Sequence, residues 1–218
     1  MKVTTDACLF GAWVAQHLQK GSETFLKTLD IGTGTGLLAL MLAQKWESHI
    51  DAVEIERGAA NQARQNFAQS AWPDRMHVIE GDIQELSLPP YDCIISNPPF
   101  YESELTSPDR QRHIAHHSGG LKLQSLLGII EQHLQEDGSF YLLLPTKRQK
   151  DFETFLAPSG LYLHEMTWVQ QTHAPFRMMI SGGKTKREAT AQTIIIKDED
   201  GKYTMPFVAL LQDYYLYL

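Results

Sequence analysis

The residue types most suggestive of chemistry stand together in Asn97-Pro98-Pro99-Phe100. An amino group conjugated to a purine ring, or an amide nitrogen, is a poor nucleophile because its lone pair is delocalised. If the Asn97 side-chain carbonyl and the Pro98 backbone carbonyl each accept one N–H, the nitrogen is drawn toward a pyramidal form, its lone pair aimed at an electrophile. The prolines hold the carbonyl rigidly, and Phe100 offers a ring face on which a base can stack. This chemistry needs neither a covalent intermediate nor a metal. Asn-Pro also opens ordinary turns. Its place directly after the apolar run Cys93-Ile94-Ile95-Ser96, 15 residues past Asp82, favours the catalytic reading.

The electrophile has its own signature upstream. Asp30-Ile31-Gly32-Thr33-Gly34-Thr35-Gly36 lies between a strand pattern and a helix pattern. Glycines there let backbone approach a ligand closely. The spacing departs from the Gly-x-Gly-x-x-Gly dinucleotide fingerprint. An acid two positions ahead of Gly32 would repel a pyrophosphate and suit an ammonium, such as the methionine part of S-adenosylmethionine carries. Glu54, 24 residues after Asp30, stands where a carboxylate can accept both ribose hydroxyls of an adenosine. Asp82, in Gly81-Asp82-Ile83, can accept from an adenine amino group or serve as an Asx turn. Gly32, Gly34, Gly36, Asp30, Glu54 and Asp82 are therefore the candidate cofactor residues.

The elements that must position these groups alternate short apolar strands with longer amphipathic segments. That alternation predicts a parallel sheet with helices on both faces. A helix is expected near 6–19 and a strand over Phe25–Ile31, with a helix from Gly36 onward. Strands over His49–Glu54 and Met76–Glu80 flank a helix at about 57–69. The fourth strand, Cys93–Ser96, must end at the proline pair, which can continue neither a ladder nor a helix. Residues 101–119 read as a long polar loop, a helix is expected over 120–136, and a strand over Phe140–Leu144. After a helix near 148–157, two β-rich stretches, 161–169 and 192–197, read as a terminal antiparallel pair. The chain closes on an aromatic-rich segment, 206–218, and the whole is expected to form one domain over 1–218.

With 43% hydrophobic residues the chain can fill a core covered on both faces. No run of 18 apolar residues is present, which argues against a membrane-spanning helix. Cys8 and Cys93 are 85 residues apart, which suits a reducing cytoplasm better than a disulfide framework. The net charge of -7 does not announce a nucleic-acid binder. Locally, however, Lys147-Arg148-Gln149-Lys150, Lys184-Thr185-Lys186-Arg187, and Arg110 and Arg112 among His113, His116 and His117 form basic clusters. Three such clusters after the candidate site are consistent with a phosphate-contacting surface, although any one alone reads as a solvated loop. The three histidines lack the further ligands that a metal site requires.

Asp-x-Gly-x-Gly-x-Gly, the acid ending the second strand, and Asn-Pro-Pro-Phe, in this order, resemble the class I methyltransferases that act on amino nitrogens. One branch of that group modifies the glutamine of peptide release factors, and this is the alternative activity; it usually carries an additional N-terminal helical domain. Asn97-Pro98-Pro99-Phe100-Tyr101 and two terminal segments narrow the resemblance. Met1-Lys2-Val3-Thr4-Thr5-Asp6-Ala7-Cys8-Leu9-Phe10-Gly11-Ala12-Trp13 and Phe207-Val208-Ala209-Leu210-Leu211-Gln212-Asp213-Tyr214-Tyr215-Leu216 are similar to the opening and closing segments of the bacterial tRNA1(Val) adenine-37 N6-methyltransferase family. The resemblance implies a Rossmann-like α/β fold with a mostly parallel seven-stranded sheet and a terminal antiparallel pair. It also implies S-adenosylmethionine as cofactor and an unpaired adenosine of a tRNA anticodon loop as substrate, a base that is cheap to splay out. Thr4, Thr5 and Asp6 match the segment that in such enzymes packs beside the cofactor, and equally suit the cap of a first helix. Members usually carry a β-rich stretch before the Lys-Val segment, whereas this sequence begins at Met1 inside it.

Overall fold

The structure is a computed structural model that describes residues 3–19, 26–98, 121–171 and 173–217. Its elements are α1 (Thr5–Gln19), β1 (Leu26–Ile31), α2 (Leu37–Lys45), β2 (Ser48–Glu54), α3 (Arg57–Ala68), β3 (Met76–Glu80) and β4 (Tyr91–Ser96). There follow α4 (Leu123–His133), β5 (Leu134–Pro145), α5 (Gln149–Leu156), β6 (Tyr162–Gln170), β7 (Pro175–Gly183), β8 (Thr190–Ile195) and α6 (Met205–Leu211). These eight strands form one sheet in the order β3-β2-β1-β4-β5-β7-β6-β8. Among the described strands only β7 runs against the others: it is antiparallel to β5 and to β6, while β6 and β8 are parallel.

Central strands buried on both faces carry near-continuous apolar runs, as β4 and the second half of β5 do. One face packs against α1, α2, α3 and α6, the other against α4 and α5. Helix α1 is apolar almost all round because it is enclosed, with Leu9, Phe10, Trp13 and Val14 wholly buried. Gly11 meets Met41 and Leu38 of α2 so closely that a side chain there would collide with them.

The mostly parallel sheet with helices on both faces and a terminal antiparallel pair is present, with eight strands among the described residues instead of seven. The pair consists of β6 and β7. The stretch expected as its second member, 192–197, begins in β8 and runs two residues past its end, and β8 joins the outer side of β6 in parallel. Strand β7 escapes a sequence reading because it opens on Pro175 and ends on Gly182-Gly183, which look like loop. Packing explains the glycines. A Cβ on Gly182 would lie 2.4 Å from both the Phe140 ring and the Tyr162 carbonyl oxygen. The helix expected over 120–136 ends at His133, because Leu134 is extended and pairs opposite Tyr91 to begin β5.

Candidate functional site

Strand order reverses between β1 and β4: the chain after β1 goes to β2 and β3 on one side, while β4 and β5 extend the other. In open α/β sheets ligands bind at this switch point, outside the carboxyl ends of the strands. Ile31 and Ser96 end these two strands as register partners, and the Ser96 hydroxyl donates to the Ile31 carbonyl at 2.7 Å. The glycine turn and Asn97 thus leave the sheet side by side. Asn97 is exposed and Pro98 buried. Phe100, Pro99 and the 101–119 segment with its arginines and histidines lie outside the described residues.

The turn after β1 is built by backbone and two carboxylates. The Gly32 and Thr33 amides donate to the Val53 carbonyl at 2.9 and 3.0 Å. Gly32, Gly34 and Gly36 have φ of 71, 59 and 85°, left-handed values that L side chains seldom adopt. Gly36 is additionally required by packing, since a Cβ there would sit 2.4 Å from the Phe67 ring. Gly32 differs, because a Cβ on it would meet nothing within 4 Å. That open space lies over the turn, where a ligand can approach.

Asp30 is fully buried beneath the turn and accepts from the Thr33 hydroxyl at 2.6 Å, while its Oδ1 has no hydrogen-bond partner. Burial pushes its carboxyl up to about 7, the Thr33 hydroxyl and the Ala39 amide pull it down, and the Glu54 charge pushes it further up. Asp30 therefore acts on the crevice through its charge and through the shape of the turn, without facing open space itself. Glu54, nearly buried, accepts from the Gly34 amide at 2.8 Å and from the Glu56 amide at 2.9 Å. Both its oxygens are fixed, and each keeps acceptor capacity. Glu56 caps α3 by accepting from the Gly58 and Ala59 amides at 2.7 Å, and those two amides lower its carboxyl below the usual range.

Asp82 accepts from the Gln84 amide at 3.0 Å, the Asx turn that closes the β3 end of the edge. Thr5 is the exposed first residue of α1. Asp6 accepts from Arg177 Nε at 2.8 Å. Arg177 is the register partner of Pro145 at the end of β5, so this ion pair brings the start of α1 to the same sheet edge. Asp30, Gly32, Gly34, Gly36, Glu54, Asp82, Asn97, Pro98 and Thr5 thus share the carboxyl edge. Sequence reasoning passes over Thr33, Ser96, Glu56 and Arg177. A hydroxyl three residues after a buried acid, and an acid at a helix N-cap, are legible signals; Arg177 has none, because its strand does not read as one.

The methyltransferase small domain family matches residues 11–156. The tRNA1(Val) (adenine(37)-N6)-methyltransferase of Tolumonas auensis is 35% identical over 99% of this chain and 90% of its own length. That of Salmonella paratyphi B is 38% identical over 100% of this chain and 89% of its own. The chain belongs to this methyltransferase family. A predicted O-methyltransferase of Agrobacterium tumefaciens has the same fold, with a TM-score of 0.71 at 18% identity over 95% of each chain. Family membership fits the edge: an open space above Gly32, a buried acid with one unpartnered oxygen beneath it and a fixed carboxylate beside it suit an adenosyl cofactor with a cationic amino-acid end. Among the described residues no helix is long and apolar enough to cross a membrane.

Proposed function

We propose that this protein transfers a methyl group from S-adenosylmethionine to the exocyclic N6 amino group of an unpaired adenosine in tRNA, position 37 of the tRNA1(Val) anticodon loop. The observation that carries the reading is the adjacency of Asn97 to the glycine turn at the switch point, joined by the Ser96–Ile31 hydrogen bond. Full-length relatedness to enzymes of that name gives the substrate. When bound, S-adenosylmethionine supplies an electrophilic methyl on a sulfonium.

The chain's own groups do the rest. Gly32, Gly34 and Gly36 give the cofactor close approach, and Glu54 presents its acceptors to ribose hydroxyls. Asp30 makes the crevice favourable for a cation, while Asp82 and Thr5 stand at its flanks. Asn97 and Pro98 accept the two N–H groups of the adenine, which orients the nitrogen lone pair and stabilises positive charge as it develops. Neither residue takes up a proton permanently, so the product amino group loses its extra proton to solvent. Two buried free thiols, Cys8 and Cys93, suit the reducing cytoplasm in which such an enzyme would work.

Incubation with labelled cofactor and an unmodified tRNA pool, followed by nucleoside mapping, tests the activity. Label at one adenosine of one tRNA is expected; label on protein with none on tRNA would overturn it. Asn97→Ala should lower kcat about 100- to 1,000-fold while leaving cofactor affinity within about twofold. Equal loss of both would remove Asn97 from the role given to it.

A further inference from the structure

Resting on that reading, we infer that the tRNA backbone lies along the edge where β5 ends and β7 begins, on a basic ledge formed by Lys147, Arg148, Lys150, His173 and Arg177. The sheet topology decides between the basic clusters that the sequence presents. Strand β5 delivers its chain to the carboxyl edge at Pro145, and the turn Thr146–Arg148 follows at once. Because β7 runs the opposite way, it starts at that same edge, where Arg177 pairs opposite Pro145. The Thr146 hydroxyl donates to the Pro175 carbonyl at 3.3 Å, which joins the β5–α5 and β6–β7 connections. Strand β7 then ends at Gly183 on the far edge, so Lys184, Lys186 and Arg187 are carried away from the site. There Lys184 lies 3.5 Å from Glu136, and His164 Nε2 is hydrogen-bonded to the Thr185 carbonyl.

The ledge adjoins the reaction centre. Ser96 pairs with Leu142, so Asn97 lies level with Leu143. Arg177 is then two strands over and two residues farther out, about 12 Å from Asn97 between Cα atoms at the usual strand spacing and rise. At that separation an arginine side chain can reach a phosphate near a base held at Asn97. Arg177 is held in place from two sides: Nε donates to Asp6, and the guanidinium lies 5.5 Å from the Phe176 ring centroid. Its Nη1 reaches the Phe176 carbonyl at 3.3 Å, and a third of the side chain stays exposed. A guanidinium fixed this way keeps a fork of donors for phosphate oxygens at little ordering cost. Lys147, Lys150 and His173 are exposed beside it, and Arg148 is paired with Asp151 at 2.7 Å. The acids flanking this stretch bound the path: Glu54, Glu56 and Asp82 on the cofactor side, and Asp198, Glu199 and Asp200 beyond β8. Basic side chains beside an aromatic ring are the usual equipment for a single-stranded nucleic acid.

The test compares two exposed pairs in the full chain. Lys147→Ala with Lys150→Ala should raise the KM for tRNA about tenfold and leave kcat and cofactor affinity unchanged. It should also flatten the plot of log affinity for tRNA against log salt by about one to two units of slope. Lys186→Ala with Arg187→Ala, at the opposite edge, should change none of these. Equal effects of the two pairs, or an unchanged salt slope for the Lys147/Lys150 pair, would overturn the ledge. Wild-type protein that methylates no tRNA would instead overturn the activity itself, so the two failures are separable.

Discussion

Asp30→Asn in the ligand-free protein isolates the effect of burying an acid under the glycine turn. Folded Asp30 titrates at about 7 against an ordinary 3.8, chiefly because it is fully desolvated. The folded state therefore binds a proton more tightly than the unfolded chain. A raised carboxyl pKa contributes stability that is complete below pH ~4 and is lost as pH rises through about 7. At 1.36 kcal/mol per unit, the three-unit displacement amounts to about 4 kcal/mol over the whole range, and about 3 kcal/mol of it falls between pH 5 and pH 8. For a chain of this size that is a fall of about 5–11 °C in Tm across the window. An asparagine side chain cannot ionise, so the variant should show no such fall. The amide is nearly isosteric but places a donor where Oδ1 now has no partner, which costs about 1–3 kcal/mol at every pH. That cost moves the level of the curve and not its slope, so the slope is the readout. Urea unfolding at half-unit steps from pH 5 to pH 8 measures it, and the difference between wild type and variant should shrink or reverse toward pH 8. Parallel curves would refute the assignment of the shift to Asp30.

Gly36→Ala should destabilise the fold by about 2–4 kcal/mol in chemical denaturation, because it combines a left-handed φ with a collision against Phe67. Gly32→Ala meets no neighbour, so it should cost only about 1–2 kcal/mol of backbone strain while lowering cofactor affinity at least about tenfold, as read by calorimetry. Glu54→Gln leaves a backbone amide of Gly34 or Glu56 facing an NH2 group, and should weaken S-adenosylmethionine binding about 10- to 100-fold. An affinity within twofold of wild type would exclude Glu54 from the ribose-facing role.

The positions of the candidate cofactor residues were legible in the sequence because their placement is local. Asp30, the three glycines and Glu54 each stand at the end of a strand whose apolar run announces it, and a parallel sheet necessarily brings such ends to one edge. Asn97 was legible for the same reason, since a proline pair must terminate β4 where the chain leaves the core. The β5–β8 half was less so. Strand β7 begins with a proline and ends with two glycines, and only the approach of Phe140 and the Tyr162 carbonyl shows why those glycines belong inside a sheet.

From the residues alone come the candidate groups for the proposed chemistry and their order along the chain. Direction comes from the fold. One antiparallel strand sends Lys184–Arg187 to the far edge and brings Arg177 to the near one, beside Lys147 and the start of α1. The two basic clusters are equivalent in composition, so no pattern of residues distinguishes them. The difference arises because strand pairing is non-local: β7 lies between β5 and β6, antiparallel to both, and buries Met178, Met179 and Ile180 there. Asp30 shows the same division at a single residue. Its type predicts a charge at the candidate cofactor turn, whereas its complete burial, and the rise of its carboxyl to about 7 that results, come from the packing around it.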